Sequence, residues 1–299
     1  MKSQGKLIVI NYSDNNFRKV QKLCSRSAKI IGKADEVIEY SPDDLSEEFK
    51  LHNKMHFTHK RGAGLWVWKP YIIDKTLSQM KDSDFLLYSD AGVVFYKPID
   101  KLVKGLERSN SDIMVFELPL IEKEWTKNET QKIILEEEKN FSNDNQILAS
   151  YVLIKNTSSS RSFVKEWLNY AQNYQAICPE TISNIPNDDN YIAHREDQSI
   201  LSLLCRKYGI KPFKDPSQYG ERPEGYKWNP DWKCKPCKFN PKVYDNSDYN
   251  KILISVRTHD PFEIVFREIL EDVNHYIPLL SFYRKIKNLI KKNNERGDI

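Results

Sequence analysis

The sequence predicts an α/β fold in which a mixed, mainly parallel β-sheet is flanked by helices and followed by a C-terminal helical extension. Three observations predict it. Short apolar runs are typical of strands buried on both faces, they alternate with segments of helical periodicity, and an acid follows one run where open α/β sheets bind ligands. With 299 residues, 39% of them hydrophobic, the chain can bury a large core.

The first part of the chain has a β-α-β pattern. Residues 6–11 (KLIVIN) and 36–40 (EVIEY) are predicted strands, and the residues between them show helical spacing. Pro70 fits the first turn of a later helix, because a helix start leaves its N–H groups unpaired and proline has none. A strand over residues 84–89 follows and ends at Asp90.

The rest of the chain continues the alternation of strands and helices. We expect residues 212–250 to form an ordered, loop-rich cover, because they are rich in aromatic residues and proline but lack periodicity. The prediction is one domain over residues 1–272 and a basic amphipathic helix over residues 273–299. Further strands are predicted over residues 93–96, 111–118, 146–155 and 252–256, and further helices over residues 160–174 and from residues 196 and 262.

Composition restricts the function and the cell compartment. The net charge of +4 is too small to indicate nucleic acid as the main partner. No apolar run approaches the roughly 20 residues of a membrane span, and the start of the chain lacks the apolar part of a signal peptide. We therefore expect a cytoplasmic protein whose five cysteines are reduced thiols.

The segment FLLYSDAG, residues 85–92, carries the strongest local signal. A buried strand delivers the carboxylate of Asp90 to a turn that contains Gly92. Hard divalent cations prefer carboxylate oxygens and bridge to diphosphate oxygens, which neutralises a leaving nucleoside diphosphate. The alternative interpretation is that Asp90 caps a turn and Gly92 supplies an unusual backbone angle.

Two further segments contain candidate site residues. In RGAGLWVWKP, residues 61–70, the Lys69 ammonium suits a phosphate and Trp68 suits a base or sugar, although packing in the core is the favoured interpretation of the tryptophans. Glu196 and Asp197 open a helix, where either carboxylate can serve as a general base or can simply cap the helix. Cys234 and Cys237 have zinc-ligand spacing but no second pair, so we do not predict a metal there.

The order of these motifs carries a resemblance to a known family. RGAGLWVWKP, FLLYSDAG and HREDQSILSLL are similar to the successive motifs of GT-A nucleotide-diphospho-sugar glycosyltransferases of bacterial capsule and O-antigen synthesis. The resemblance spans roughly residues 6–270 and implies a GT-A-like, Rossmann-type sheet. The family motif is commonly Asp-x-Asp, so the resemblance places Asp90 at the first acid and Gly92 at the second, a departure that weakens the expected metal site.

The resemblance implies a hexosyltransferase-like enzyme that moves a sugar from a nucleoside-diphosphate-sugar to a surface polysaccharide or glycolipid. Asp197 or Glu196 would address the reacting hydroxyl, and Asp90 with His259 would hold Mn²⁺ or Mg²⁺. The implied acceptor and sugar contacts are Asn143, Gln146 and Gln198. The implied donor contacts are Asn11, Tyr12, Ser13, Trp68, Lys69, Ser89, Asp90, Ala91, Gly92 and Arg257.

Two other functions remain open at this point. A sugar nucleotidyltransferase normally shows a glycine-rich phosphate loop after the first strand, and none follows KLIVIN. A catalytically silent protein that binds glycans or nucleotide-sugars is compatible with glycine at position 92. The basic C-terminal segment also suits peripheral contact with the inner face of the cell membrane, as a lipid-linked acceptor would require.

Overall fold

A computed structural model describes residues 5–135, 143–228, 240–256 and 261–276. The strands are β1 (Leu7–Tyr12), β2 (Glu36–Tyr40), β3 (Phe85–Ser89), β4 (Val93–Phe95), β5 (Ile113–Ile121), β6 (Asn145–Lys155), β7 (Phe213–Lys214) and β8 (Leu253–Ser255). The larger helices are α1 (Arg18–Ile30), α2 (Glu47–His52), α3 (Trp68–Gln79), α4 (Asp100–Arg108), α5 (Glu122–Trp125), α6 (Asn128–Leu135), α7 (Ser158–Gln172), α8 (Tyr174–Ile177), α9 (Glu196–Lys207), α10 (Gln218–Glu221) and α11 (Pro261–Tyr276).

Six strands form one central sheet in the order β2-β1-β3-β6-β5-β7. β1 pairs in parallel with β2 and β3, and β5 pairs in parallel with β7. β6 is antiparallel to both of its neighbours, β3 and β5. β4 and β8 form a separate antiparallel pair. The predicted fold class is confirmed, because the sheet is mixed, mainly parallel and covered by helices.

The inner strands β1, β3, β5 and β6 are buried on both faces because they are apolar at successive positions, whose side chains point to opposite faces. Ile8 and Ile10 of β1 lie in one core with residues of α3, α7 and α9. Leu7 and Val9 of the same strand lie in a second core with residues of α1 and α4. The continuous apolar run KLIVIN is thereby explained, since neither face of β1 meets water.

The predicted elements that fall on described residues are present with small shifts at their ends, whereas residues 277–299 of the predicted C-terminal helix lie outside the described residues. Residues 212–250, predicted to form an ordered, loop-rich cover, contain the short strand β7 and the one-turn helix α10 within their described part. The chain divides into two compact units between Ser255 and Val256, whereas the predicted boundary after residue 272 falls within α11. None of the described helices is long and apolar enough to span a membrane.

The cysteines that the structure describes, Cys24, Cys178 and Cys205, are buried free thiols. Burial raises the pKa of the Cys24 thiol to about 12, which keeps it protonated at neutral pH. The predicted zinc-spaced pair, Cys234 and Cys237, lies outside the described residues.

Candidate active site

Three charged side chains from three separate sequence motifs meet at the end of β3. The Lys69 ammonium lies 2.6 Å from Oδ2 of Asp197 and 3.7 Å from Oδ1 of Asp90. Lys69 also donates a hydrogen bond to the carbonyl of Ala149 at 3.2 Å. The segments RGAGLWVWKP, FLLYSDAG and HREDQSILSLL therefore converge on one site, although 128 positions separate Lys69 from Asp197 in the chain.

Each of the three residues is held by its own element. Lys69 is the second residue of α3, and Asp197 is the second residue of α9. Asp90 follows β3 directly, and its backbone N–H donates to the carbonyl of Ser150 on β6 at 2.7 Å. Helix starts and a strand end are rigid supports, so the charges are fixed relative to one another.

Lys69 and Asp197 are almost completely buried, whereas Asp90 is partly open to solvent. The exposed fractions of the three side chains are 3%, 5% and 35%. The contact between Lys69 and Asp197 is an ion pair without an aligned hydrogen bond, and no described residue donates a hydrogen bond to Oδ2 of Asp197. Asp90 is the member of the group most open to solvent.

Burial dominates the electrostatics of the pair. It raises the pKa of the Asp197 carboxyl to about 7, against the opposing effect of Lys69 and with added repulsion from Asp90 and Glu196. Burial lowers the pKa of Lys69, but attraction to Asp197 and Asp90 outweighs this effect and the net shift is upward. The site therefore holds a firmly charged ammonium beside a carboxyl group that titrates near neutral pH.

Tyr88 joins the site although sequence reasoning did not select it. Its hydroxyl donates to Oδ1 of Asp90 at 2.5 Å, and its ring lies 5.2 Å from the Lys69 ammonium. Burial and the neighbouring Asp90 carboxylate raise the pKa of this phenol well above its usual value. Tyr88 stays a hydrogen-bond donor and fixes one oxygen of Asp90. The signal was present in FLLYSDAG, since residues 88 and 90 share one side of an extended chain.

A left-handed turn precedes α3. Gly62, Ala63, Gly64, Leu65 and Trp66 all have φ between +49° and +102°. A single residue in this region is ordinary for glycine, but each non-glycine residue costs about 1 to 2 kcal/mol, and successive residues are rare. Strain of this kind concentrates at functional sites. The turn ends where the Trp66 carbonyl accepts from the backbone N–H of Lys69 at 2.9 Å.

Arg61, which begins this segment, pairs with Glu196. Its Nε lies 2.6 Å from Oε1 of Glu196, whose side chain is only 3% exposed. The Arg61 guanidinium also lies 5.4 Å from the centre of the Trp66 ring. Two ion pairs, Arg61 with Glu196 and Lys69 with Asp197, thus connect the segment before α3 to the start of α9.

The three predicted acceptor residues differ in how deeply they are buried. Gln198 is partly buried, and its amide donates to Oε1 of Gln146 at 2.7 Å. Gln146 is completely buried and donates to the Trp125 carbonyl and to Thr126, so it packs between elements and does not face a ligand. Asn143 is an exposed turn residue.

Most residues predicted to hold the nucleoside are packing residues in the structure. Tyr12 and Trp68 stack on each other with ring centres 3.7 Å apart, and both are buried. The Asn11 amide donates to Ser25 Oγ, and the Ser13 hydroxyl donates to Gln21. Their side chains are committed inside the fold, so the predicted donor contacts at these four positions have no support in the structure.

The donor contacts predicted around Asp90 also differ in exposure. Ser89 is completely buried, and its hydroxyl donates to the Asp90 carbonyl at 3.1 Å. Ala91 is buried and Gly92 is partly exposed. Lys69 lies too deep to reach outward, and its ammonium is occupied by Asp197 and Ala149. Its supported role is to hold Asp197, not to bind a phosphate directly.

The predicted metal site has only one of its ligands in the described chain. His259 and Arg257 lie outside the described residues. Within those that the structure describes, no group of three or more histidine, cysteine or acidic side chains is arranged to hold a metal ion. Asp90 contributes one carboxylate, and an ammonium lies 3.7 Å from it, which repels a second cation. This described donor set does not fit Mn²⁺ or Mg²⁺.

A separate cavity of about 580 Å³ lies at the opposite edge of the sheet. Ser111 and Phe213, near the starts of β5 and β7, line it together with Tyr208 and Lys211. β5 runs parallel to β3, because both are antiparallel to β6. The cavity lies near the N-terminal end of β5, whereas Asp90 lies at the C-terminal end of β3, so the two are at opposite ends of the strands. The cavity contains none of the predicted site residues.

Several solved glycosyltransferases are similar to this chain, at low sequence identity. The galactosyltransferase LgtC, crystallised with donor and acceptor sugar analogues, is 13% identical over 84% of this chain and 87% of its own, with a TM-score of 0.45. Mouse xyloside xylosyltransferase 1 is 8% identical over 85% of this chain and 97% of its own, with a TM-score of 0.43. The glycosyltransferase GlyE of Streptococcus pneumoniae is 11% identical over 90% of this chain and 64% of its own, with a TM-score of 0.40. No protein-family model matches the chain, and no curated protein matches it.

Proposed function

We propose that this chain is a glycosyltransferase that moves a sugar from a nucleoside-diphosphate-sugar to a growing surface polysaccharide or glycolipid. The observation that supports it is the convergence of Lys69, Asp90 and Asp197 from three motifs that resemble those of such enzymes. A buried acid held by a buried ammonium, next to an acid open to solvent, suits the transfer of a proton beside a bound ligand.

In the proposed reaction Asp197 is the general base. The acceptor hydroxyl loses its proton to the Asp197 carboxylate while its oxygen bonds to the anomeric carbon of the donor. The bond from that carbon to the diphosphate oxygen breaks, and the nucleoside diphosphate leaves with the electron pair. A pKa of about 7 matches a base that works near neutral pH.

Lys69 and Asp90 support this step from two sides. Lys69 stabilises the ionised form of Asp197 through the 2.6 Å ion pair. Asp90, with Oδ1 bound by Tyr88, presents its carboxylate to hydroxyl groups of the donor sugar. The predicted Mn²⁺ or Mg²⁺ ion depends on His259, and the proposed step does not involve it.

Donor binding and turnover test the proposal. Calorimetry against a panel of nucleotide-sugars, with and without Mn²⁺, should identify a donor, and mass spectrometry of candidate acceptors should detect the product. We expect Asp197→Asn to bind the donor while turnover falls about 10² to 10⁴-fold. Asp82→Asn, at an exposed residue paired only with Arg161, is the matched control. Binding of no donor, or full turnover by Asp197→Asn, would refute the proposal.

A further inference from the structure

Two neighbouring acids at the start of α9 are both paired with cations from the segment before and at the start of α3. Asp197 contacts Lys69, and Glu196 contacts Arg61. Sequence reasoning treated the two acids as equivalent candidates for the reacting group. The structure separates them by the partner that each one has.

Glu196 is occupied on both carboxylate oxygens by a single guanidinium. Arg61 Nε donates to Oε1 at 2.6 Å, and a second Arg61 nitrogen donates to Oε2 at 3.5 Å. Fork-shaped contacts of this type are stronger and more directional than those of an ammonium. Glu196 is thereby turned toward Arg61, and a substrate hydroxyl finds no open oxygen on it.

The backbone is strained at one member of this pair and next to the other. Glu196 has φ of +45°, although it is not a glycine and is the first residue of α9. On the other side, Arg61 itself has ordinary extended angles, φ −60° and ψ 126°, and the left-handed turn starts at the next residue, Gly62. The Arg61 guanidinium lies 5.4 Å from the centre of the Trp66 ring, which belongs to that turn. A strained conformation persists only where its surroundings hold it, and the Arg61 pair joins the strained Glu196 to the residue that precedes the turn.

We propose that Arg61 is a positioning residue: by binding Glu196 it removes this carboxylate from the reacting set, fixes the first turn of α9, and leaves Asp197 as the single reacting acid. The inference rests on the proposed function only for what the reacting acid does. The arrangement of the four charged groups can be tested in the free protein.

The charges that face Asp197 come from every side of the site. Lys69 on α3 attracts its carboxylate, whereas Asp90 after β3 and Glu196 on its own helix repel it. Tyr88 is a neutral donor bound to Asp90. Arg61 compensates Glu196. Removing Arg61 leaves a bare carboxylate beside Asp197, whereas removing the charge of Glu196 leaves a bare guanidinium, so the two changes act in opposite directions.

The decisive experiment follows the titration of Asp197 in protein that carries ¹³C-carboxyl aspartate. The Asp197 signal is assigned by its loss in Asp197→Asn. We expect Arg61→Gln to raise the midpoint by about one pH unit and Glu196→Gln to lower it by a similar amount. Arg61→Gln with Glu196→Gln together should give a midpoint between those of the two single variants.

Two controls separate this effect from a general loss of structure. Arg61→Lys keeps the charge and should leave the midpoint near that of the parent protein. Arg161→Gln breaks the exposed ion pair with Asp82 and should not move it. Equal midpoints in all variants, or shifts of the same sign in Arg61→Gln and Glu196→Gln, would overturn the inference. Because no donor is present, failure of the proposed transferase function would leave this result unaffected.

Discussion

Lys69 is a buried cation whose surroundings satisfy it completely. Its ammonium contacts Asp197, the Ala149 carbonyl and, at 3.7 Å, Asp90. A buried lysine without such partners would be strongly destabilising, since burial disfavours the charged form. The ion pair is therefore a stability element as well as a part of the site, and breaking it should affect the fold.

We expect Lys69→Met to lower the free energy of unfolding by about 3 kcal/mol at pH 7, because it leaves the Asp197 carboxylate buried without a partner. Adding Asp197→Asn should recover most of this loss. Urea denaturation of the single and double variants measures it. Lys104→Met, which breaks the exposed pair with Asp100, should cost less than about 0.5 kcal/mol. Equal losses at the two positions would contradict the buried-pair account.

At the scale of single residues, the sequence indicates a candidate where the pattern that marks it is local, and the roles of these candidates stay predictions. Asp90 was selected because an acid ends an apolar strand, and Asp197 because an acid opens a helix. Arg61 was missed because its partner lies 135 positions away, and nothing near Arg61 indicates an acid. The resemblance implies Trp68 and Tyr12 as ligand contacts, but in the structure each ring is covered by the other. Aromatic residues near a motif do not reveal whether they face the core.

At the scale of elements, the left-handed turn decides how α3 meets α9. Gly62 in this turn can be compared with Gly209, which lies outside it and has a similar φ. At Gly62 φ is +60°, and a Cβ atom would lie 2.3 Å from the Trp66 ring. At Gly209, after α9, φ is +63° but no heavy atom lies within 4 Å of the position of a Cβ. The two positions share the backbone conformation and differ in packing.

This contrast yields a paired prediction. Gly209→Ala should destabilise the protein by about 1 kcal/mol, through backbone strain alone. Gly62→Ala should cost at least about 1 to 2 kcal/mol more, because the Trp66 ring must move and carries Arg61 with it. Thermal and urea unfolding of both variants measure the difference. If the two variants are equally stable, the Trp66 ring is not held against Gly62 as described.

The elements themselves were predictable, but this turn was not. Apolar runs and helical spacing are repeated over many residues, so β1, β2 and β6 follow directly from the sequence. The Gly-x-Gly of residues 62–64 indicated only a close approach of the backbone. Left-handed angles at Leu65 and Trp66 could not be predicted, because neither residue type favours positive φ, and the backbone N–H groups of the two residues donate to the carbonyls of Arg61 and Gly62.

At the scale of the whole molecule, a buried polar cluster holds the loop that leads into α9. Lys127 and Glu129 form an ion pair with both side chains fully buried, and Glu129 accepts from the backbone N–H groups of Ile182 and Ser183. His194, just before α9, pairs with the Ala176 carbonyl through Nε2. Burial lowers the pKa of His194 to about 3, so the folded protein keeps this imidazole neutral.

His194 should make stability fall in mild acid. The unfolded chain protonates this histidine near its usual pKa of about 6.5, whereas the folded protein does so near 3, so the unfolded state binds more protons between these values. Stability from this group is complete above pH 6.5, and about 2 kcal/mol of it is lost by pH 5. We expect His194→Gln to flatten the dependence of the unfolding free energy on pH between 7 and 5.

The matched control for this experiment is His52→Gln, at an exposed histidine at the end of α2. It should keep the slope of the parent protein. A slope that is unchanged in His194→Gln would show that His194 is protonated in the folded state. The comparison uses slopes, because Glu122 and Asp197, whose pKa values burial raises to about 7, change stability over the same range in the opposite direction.

The basic C-terminal segment should bind anionic membrane surfaces through its charge. Residues 277–299 lie outside the described residues, and their sequence alternates apolar residues with Arg284, Lys285, Lys291 and Lys292. We expect the full chain to sediment with anionic vesicles and not with neutral ones. Replacing Lys285, Lys291 and Lys292 by glutamine should weaken this about ten-fold or more, since each basic residue contributes about 1 kcal/mol. Equal binding to both vesicle types would argue against a charge-based contact.

The main chain of β6 determines how freely the amino-acid sequence of this strand can vary. The Ala149 carbonyl accepts a hydrogen bond from the Lys69 ammonium, and the Ala149 N–H donates to Gln198. The Ser150 carbonyl accepts from the backbone N–H of Asp90. All three contacts use main-chain atoms, which every amino acid except proline supplies in full. A related chain can therefore exchange the side chains along this strand and still hold the same charged groups in place. The main chain of β6 therefore positions the charged groups largely independently of the side chains along it.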